Sequence, residues 1–507
     1  MNGSPSRGLH DLFARRHSWV PLVIGVAMLY GLRLNRPETG KLEDGKWLYS
    51  YDENYTVLTA RRIAEGDKNV WDAWKHPDDH QDRLFTMRFA SKDLGNDDSR
   101  YEWVHPPTPR MVMSAIIRVA GMNPVAYRMP SVWLGVLIVA MTWVIGNRMR
   151  GPSFGLFAGT LAATDGWLFC LSRVAMTDIY FIGMTVTAYA LFYVWWTARS
   201  HRTWWMIADG LVCGAALAMK WSAAGPVFGL AVLAMARFLL DWRRSPTTRF
   251  STLRDAAVAL AAFTLVPAAV YVLSFWPFFA AGHTATEWFA MHRAIFDYNR
   301  RAPATAPGSS AWYEWPLDRR ATWFLTRAKN GFCQYTFASS NWFVWWPFIP
   351  AVAYATLRFI YAALPVPAKS LSSRGYSAAT QRLSAFFPQL AGSPIAGTLP
   401  SAVDEPRFEQ AFLVVATSVM WLPYALIHRF VFTRYFTLLV PFGALAIAMA
   451  LFDLRSRWPR VGEAVCFAYM AGALAFFVVH YPAWAGVPLP CKGVEAGQWD
   501  YWFRMAR

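Results

Sequence analysis

The sequence predicts an all-α integral membrane protein with about eleven transmembrane helices. Of its 507 residues, 55% are hydrophobic, 17% are aromatic and only 16% are charged, whereas soluble domains carry roughly 25% charged residues. Apolar runs of the length that crosses a bilayer, about 17 to 25 residues, recur along nearly the whole chain. Their approximate bounds are 18–33, 130–148, 152–170, 177–198, 204–219, 221–240, 256–280, 341–363, 409–427, 434–452 and 461–482.

The first run follows three arginines and could be mistaken for a secretory signal. The segment NRPE at 35–38 stands where a cleavage site would need small residues. We therefore expect an uncleaved first helix.

The distribution of basic residues predicts the orientation, because Lys and Arg in short loops are retained on the cytoplasmic side. A cytoplasmic N-terminus places most of the loop arginines inside, so much of the net charge of +17 is an orientation signal, and we expect no nucleic-acid partner. An odd number of spans then puts the C-terminus outside. The arginines that decide this are Arg148, Arg150, Arg199, Arg202, Arg237, Arg243, Arg244, Arg249, Arg254, Arg455, Arg457 and Arg460.

This topology divides the chain into a cytoplasmic N-terminus, one polytopic transmembrane domain and an extracytoplasmic tail. Within the first large outer loop, residues 109–120 alternate apolar and basic residues at helical spacing, which indicates an interfacial helix or half a membrane span. The Ser, Ala, Pro and Gly content of the segment between the eighth and ninth spans predicts a flexible cytoplasmic linker. The predicted regions are 1–17 (N-terminus), 18–482 (transmembrane domain), 34–129 and 281–340 (outer loops), 364–407 (linker) and 483–507 (tail).

The five cysteines show no metal-ligand spacing. Cys333 and Cys491 both fall on the predicted outer side, where a disulfide could persist, so their pairing remains open.

An acid pair, Asp52-Glu53 in YDENYT, follows the first span on the predicted outer side. An isolated pair of this kind is most often a solvated loop feature. The alternative is a general base at the mouth of the helix bundle.

Further charged groups lie at predicted outer ends of helices, where ionisable residues are costly and often functional. Arginines at such positions can simply reach the headgroups, but several of them run against the orientation bias. Guanidinium and ammonium groups bind phosphate, so the collection suits a lipid-linked anion. The residues are His105, Arg110, Arg128, Arg173, Asp178, Lys220, His428, Arg429 and Arg434.

The same segments resemble, in order, the motifs of the protein O-mannosyltransferase family of the GT-C glycosyltransferase superfamily, over most of the chain. Asp52-Glu53 stands at the family's Asp-Glu motif, and HPPTPR at 105–110 resembles its His-Pro-Pro-x-x-Lys, with Arg110 in place of the lysine. Further resemblances are SRVAMTD at 172–178, AMKWS at 218–222, the outer-loop segment 291–320, and SSNWFVWW at 339–346, which brings in Asn341.

Two departures bear on the acceptor. FTRYF at 432–436 lacks the Tyr-His usual in the family, and the loop 281–340 has no room for the carbohydrate-binding repeat domain of eukaryotic members. The chain therefore looks like a compact bacterial-type enzyme.

The resemblance implies a GT-C fold and an inverting transfer of a sugar, mannose or a similar one, from a polyprenyl phosphate to a hydroxyl on the outer face. A poor hydroxyl nucleophile needs a base, and Asp52 is our candidate. Charge developing on the leaving phosphate needs fixed cations. Lys220 and Arg173 are the first candidates, followed by Arg128 and Arg434.

Supporting roles go to the remaining candidates. Glu53 is expected to orient Asp52 or contact the acceptor, and Asp178 is expected to position Arg173. His105, Arg110, Asn341 and Arg429 are expected to support the site or contact substrate.

Two other functions stay open. The same chemistry could act on a lipid or cell-wall glycan instead of a Ser/Thr-bearing protein. A transporter for a lipid-linked solute is a further hypothesis, although the chain shows no repeated halves. No ligand spacing requires a metal, but the outer carboxylates could hold a divalent cation.

Overall fold

The computed structural model describes residues 19–35, 40–41, 47–48, 52–75, 101–198, 200–244, 249–306, 308–329, 331–363 and 408–490. The predicted N-terminal segment 1–17, the linker 364–407 and most of the predicted tail lie outside these residues, as does Cys491 of the suggested disulfide.

The described chain is mostly helical, as predicted, and its helices follow the apolar runs of the sequence. In chain order they are α1 (Trp19–Gly31), α2 (Glu53–Glu65), α3 (Thr108–Ala120), α4 (Pro124–Arg150), α5 (Pro152–Ala163), α6 (Gly166–Leu171), α7 (Thr177–Thr197), α8 (Arg202–Met219), α9 (Ala224–Arg244), α10 (Arg249–Phe263), α11 (Leu265–Leu273), α12 (Trp276–Ala280), α13 (Ala285–Arg301), α14 (Trp342–Trp345), α15 (Phe348–Ala363), α16 (Phe408–Trp421), α17 (Val440–Arg457) and α18 (Pro459–Trp484).

Eight helical segments in the described residues are long and apolar enough to cross a membrane, and α1 and α5 are shorter apolar helices. Every predicted run contains helix, but the number of eleven spans stays a prediction. The predicted run 152–170 is interrupted because Asp165 caps a new helix, accepting a hydrogen bond from Leu168 N at 2.9 Å. The run 256–280 is broken near Pro267, which has no N–H to continue the helical ladder.

Helices α7 and α17 form the centre of the bundle, with most of their residues buried. Helices α10, α11 and α18 lie at its periphery, where few residues are buried and the apolar surface faces outward, as lipid-facing helices do. Helix α4 packs against both α5 and α7. Its Gly146 lies directly against Gly155 of α5, where an added Cβ would meet backbone, so glycine is what permits this close crossing.

The prediction of an all-α protein omitted a small amount of sheet. Strands β1 (Gly40–Lys41) and β2 (Trp47–Leu48) pair antiparallel. Strands β3 (Thr322–Lys329) and β4 (Phe332–Ala338) of the predicted second outer loop and β5 (Leu489–Pro490) of the predicted tail form an antiparallel sheet in the order β3-β4-β5. The β3–β4 hairpin turns at Gly331, whose φ of 77° suits glycine.

Residues 101–107 of the long loop before α4 lie beside α2. The helix predicted over 109–120 is observed as α3, beginning after Pro106-Pro107. Whether it is interfacial or half a membrane span stays a prediction. Thr59 of α2 accepts a hydrogen bond from Glu102 N at 2.8 Å, and Thr56 of α2 donates to Ala175 O at 2.5 Å. These hydrogen bonds link helix α2 to the 101–107 segment and to the turn that precedes α7.

Candidate active site

The carboxylate of Asp52 lies at the N-terminal end of α2 without capping it. Aspartate at this position usually accepts a hydrogen bond from the first-turn amides, but the Asp52 side chain makes no cap bond. It turns instead to Arg434, whose Nη2 is 3.4 Å from Asp52 Oδ2. The Asp52 side chain keeps 30% of its surface exposed, so it remains accessible to a substrate.

Two cations and a second carboxylate complete a four-membered charge cluster, formed by Asp52, Arg434, Asp178 and Lys220. Lys220 Nζ is 2.8 Å from Asp178 Oδ1, and Arg434 Nε is 3.6 Å from Asp178 Oδ2. Asp178 is therefore shared by both cations, whereas Asp52 contacts Arg434. Except for Asp52, the members of this charge cluster are buried.

The secondary structure explains how four distant residues meet. Asp52 precedes α2, Asp178 lies in the first turn of α7, Lys220 follows the last residue of α8, and Arg434 lies in the 3₁₀ segment Thr433–Leu439 before α17. All are at helix ends. The bundle therefore gathers them at one end, on one face of the predicted membrane.

Aromatic rings line the cationic half of the charge cluster. Lys220 Nζ is 4.7 Å from the centroid of the Tyr435 ring, and the Arg434 guanidinium is 4.2 Å from that of Phe432. Tyr424 stacks on Tyr435 with centroids 5.8 Å apart. These faces attract the cations and limit their freedom, so the positive charge is held in place before a substrate arrives.

Desolvation by the surrounding protein raises the pKa of the partly exposed Asp52 carboxyl to about 6, against the opposing attraction of Arg434, and the nearby Asp178 and Glu102 charges also raise it. The His105 imidazole has its pKa lowered well below the usual value by burial and by the charges of Lys220 and Arg110. His105 is consequently neutral at pH 7. Asp52 is mostly ionised at that pH, and its raised pKa is close to the value that suits a general base working near neutral pH.

Glu102, which the sequence analysis did not single out, organises the segment beside Asp52. Its Oε2 is 3.1 Å from Arg110 Nη1, and Arg110 Nη2 donates to His105 O at 2.7 Å. Arg110 is buried, so this pair holds the HPPTPR turn. Glu102 was discoverable from its spacing of three residues before His105.

Glu53 is turned away from Asp52, although the two are adjacent in sequence. Its carboxylate accepts from Arg128 Nε at 2.7 Å and Nη2 at 2.8 Å, and from Ala175 N at 3.0 Å. Glu53 and Arg128 are fully buried. Successive residues at a helix start point in different directions, and these bonds join Glu53 to Arg128 and Ala175. That Glu53 orients Asp52 or contacts the acceptor stays a prediction.

Arg173 binds the carbonyl oxygens at the C-terminal end of α1. Its guanidinium donates to Tyr30 O at 2.7 Å, Leu32 O at 2.5 Å and Arg33 O at 2.9 Å. Asp178 pairs with Lys220 and Arg434, and the expectation that it positions Arg173 stays a prediction.

Asn341 and Arg429 lie in different surroundings. Asn341 is fully buried, donates from Nδ2 to Thr164 O and Ala473 O at 3.0 Å each, and caps α14. Arg429 is half-buried, and its charge contributes to the lowered pKa of His105. Of these two, only Arg429 lies near the charge cluster.

No group of three or more His, Cys, Asp or Glu side chains in the described ranges could hold a metal ion. Asp52 and Asp178 are neutralised by Arg434 and Lys220 instead.

Residues 103–281 match the family model described as "Dolichyl-phosphate-mannose-protein mannosyltransferase". A polyprenol-phosphate-mannose–protein mannosyltransferase of Mycolicibacterium smegmatis is 26% identical over 428 residues, covering 76% of this chain and 79% of the relative. The protein of that name from Corynebacterium glutamicum is 23% identical over 470 residues, covering 78% and 80%.

Two solved structures share the fold. The Saccharomyces cerevisiae protein O-mannosyltransferase Pmt1-Pmt2 complex bound to the sugar donor aligns with a TM-score of 0.68 at 12% identity, over 95% of this chain and 91% of that one. ArnT of Cupriavidus metallidurans bound to undecaprenyl phosphate aligns with a TM-score of 0.50 at 14% identity, over 90% and 64%. The ordered motifs, the family-model match, the sequence relatives and the shared GT-C fold agree, and over most of its length the chain is similar to protein O-mannosyltransferases.

Proposed function

We propose that the chain is an inverting glycosyltransferase that moves mannose from a polyprenyl-phosphate donor to a Ser or Thr hydroxyl of a protein. The observation that carries this proposal is the partly exposed Asp52 carboxylate, held beside two buried cations at one end of the bundle. The names of the sequence relatives support mannose, the polyprenyl phosphate and a protein acceptor.

Asp52 is the general base. The acceptor hydroxyl oxygen attacks the anomeric carbon, its proton passes to the Asp52 carboxylate, and the bond from that carbon to the phosphate oxygen breaks. A single displacement inverts the configuration and needs no covalent sugar–enzyme intermediate. A pKa near 6 keeps Asp52 ionised at neutral pH and makes it a stronger base than a solvated aspartate.

Lys220 and Arg434 stabilise the leaving polyprenyl phosphate. Both are buried and prepositioned by Asp178 and by the aromatic rings, so little reorganisation is needed as negative charge develops. Arg434 also touches Asp52. Proton uptake by Asp52 would release Arg434 from that carboxylate as the phosphate gains charge, which couples the two halves of the reaction. Arg429, whose charge acts on His105, is assigned as a third cation for the donor.

The other predicted residues hold this arrangement. Arg128 and Glu53 join α4 to the start of α2, and Arg173 joins the turn before α7 to α1. We assign Arg128 and Arg173 to positioning and not to phosphate binding, because three hydrogen bonds tie each guanidinium to protein acceptors. Asn341 is also assigned to positioning. Glu102 and Arg110 are assigned to hold the segment beside Asp52, where the acceptor hydroxyl would bind.

The topology stays part of the proposal. The helices and the fold support a multi-pass membrane protein. A cytoplasmic N-terminus, an extracytoplasmic site and an extracytoplasmic C-terminus rest on the arginine distribution. The predicted division into N-terminus, transmembrane domain with two outer loops and linker, and tail rests on the same argument.

A transfer assay tests the proposal. Membranes containing the parent chain receive radiolabelled polyprenyl-phosphate mannose and a Ser/Thr-bearing acceptor peptide, and labelled peptide is expected. Asp52→Asn should lower the rate by about 10² to 10⁴, the range for loss of a general base. Glu65→Gln is the matched control on the same helix, where the carboxylate is 51% exposed, and should transfer like the parent.

Three outcomes would contradict parts of the proposal. Label found only in lipid or glycan would reject the protein acceptor. An Asp52→Asn chain with parental transfer would reject the base. Label that crosses the membrane without being transferred would favour the transporter.

A further inference from the structure

Helix α13 has one face packed on the protein and one face exposed. Met291 and Ile295 are buried in a small apolar cluster with Trp103, Phe275 and Phe278. On the other face, Phe289 is 66% and Phe296 60% exposed, and the Arg293 and Arg300 side chains are 87% and 69% exposed. Their spacing of four, three and four residues places all of these exposed side chains along one stripe of the helix. We call them the α13 stripe.

The α13 stripe continues an outward-facing surface of the bundle. The segment Leu253–Leu273 is a candidate span with only 17% of its apolar window buried. At its end Leu273 is 70% exposed and Trp276 68% exposed, as expected for a helix that leaves lipid at an aromatic belt. Helix α13 starts a short turn after α12, so it begins at the depth of the headgroups.

The charges of the α13 stripe are mainly positive. Arg293 and Arg300 share one carboxylate, that of Asp297, at 4.0 and 3.9 Å. The other acid of the helix, Glu287, pairs with Lys75 at 3.0 Å. The exposed surface therefore combines two phenyl rings with uncompensated guanidinium charge, which is the composition of helices that lie on anionic membranes.

We propose that α13 is a membrane-surface helix, whose stripe inserts Phe289 and Phe296 at the acyl boundary and binds the phosphates of anionic phospholipids through Arg293 and Arg300. The occupant of this face is the lipid surface. The alternative occupants of this face are a second copy of the chain or another protein, and the test below distinguishes both from lipid.

Docking of α13 would bear on the charge cluster, because the helix is joined to it. His292 Nδ1 is 2.7 Å from Trp288 O, which makes Nδ1 the protonated nitrogen and Nε2 the acceptor of the Tyr271 hydroxyl at 2.8 Å. Tyr271 in turn accepts from Trp221 Nε1 at 2.7 Å. Trp221 follows Lys220, so the membrane-surface helix and a site cation are linked by three side chains.

The experiment measures membrane depth residue by residue. Spin labels are placed at Phe289→Cys, Phe296→Cys and, as matched control, Ala290→Cys, which is exposed but about 90° from the stripe. The chain is reconstituted in nanodiscs of phosphatidylcholine with or without phosphatidylglycerol. The collision rates of each label with oxygen, which partitions into lipid, and with a water-soluble nickel chelate are compared. The parent chain, treated with the same spin label but without an introduced cysteine, gives the background signal from its native cysteines.

We expect an oxygen-to-nickel ratio several-fold higher at 289 and 296 than at 290, rising further when phosphatidylglycerol is present. Arg293→Gln with Arg300→Gln should abolish that rise. Labels at 289 and 296 that collide freely with nickel would show a hydrated face, and labels shielded from both reagents would show a protein partner. Either result overturns the proposal, and a ratio indifferent to phosphatidylglycerol overturns the headgroup contact. None of these readouts depends on transferase activity.

Discussion

The buried ion pair of Glu53 and Arg128 allows a test that separates two roles for an arginine. If Arg128 positions α2, replacing it with Met leaves the Glu53 carboxylate buried without its cation. Both side chains are fully buried and the contact is bidentate, at 2.7 and 2.8 Å. Removal of one partner from such a pair costs about 3 to 5 kcal/mol.

A second substitution makes the prediction sharper. Glu53→Gln in the Arg128→Met background removes the buried charge, while the Gln oxygen can still accept from Ala175 N, which Glu53 does at 3.0 Å. The double variant should therefore be less destabilised than the sum of the two single variants, with a coupling of about 0.5 to 3 kcal/mol.

Equilibrium unfolding by SDS in mixed micelles measures these differences, and the transfer rate per folded molecule is measured beside it. Arg128→Met should unfold more readily but retain most of its donor affinity. An Arg128→Met chain as stable as the parent but with a strongly raised KM for the donor would refute the reasoning. That result would restore the phosphate-binding role that the sequence suggested.

Three further predictions concern the proposed site. Transfer should rise with pH through about 6 and then level off, because the raised pKa of Asp52 means that the base is protonated below that pH; a pH–rate profile without an inflection near 6 would contradict this assignment. Lys220→Met should lower kcat about 10² to 10³-fold, as for loss of one group that stabilises developing charge, with a smaller effect on the stability of the fold. Single-turnover rates near those of the parent would exclude this role for Lys220. Asn341→Ala should destabilise the chain by about 1 to 3 kcal/mol, since Thr164 O and Ala473 O lose a buried donor, while activity per folded molecule persists; a selective loss of activity would place Asn341 at the substrate.

The helices were predictable because their cause is local. A run of apolar residues of membrane length must become helix in lipid, where each backbone group has to be satisfied within its own segment. The helix over 109–120 was predictable for a similar reason, since two prolines precede a regular apolar spacing. The β3–β4 hairpin was missed because its strands pair with each other and with β5, which is about 150 residues distant.

The candidate site was only partly predictable. The sequence brought Asp52, Lys220 and Arg434 forward as ionisable residues at helix ends, and they do meet. It did not distinguish Asp52 from Glu53, because direction at the start of α2 depends on what packs there. It also grouped Arg128 and Arg173 with the substrate cations, although carbonyl and carboxylate acceptors from other elements already bind them.

The sequence by itself determined the membrane class, the helices, the family resemblance and the residue types available for phosphate and hydroxyl chemistry, since these follow from composition, local periodicity and ordered motifs. Only the tertiary structure decided which carboxylate faces Arg434, which cations Asp178 holds and which arginines are used to join helices. The physical reason is that the strength of a buried charge interaction depends on the distance and desolvation of its partners. In this chain those partners come from α2, α4, α7, α8 and the segment before α17, and their meeting depends on how the whole bundle packs.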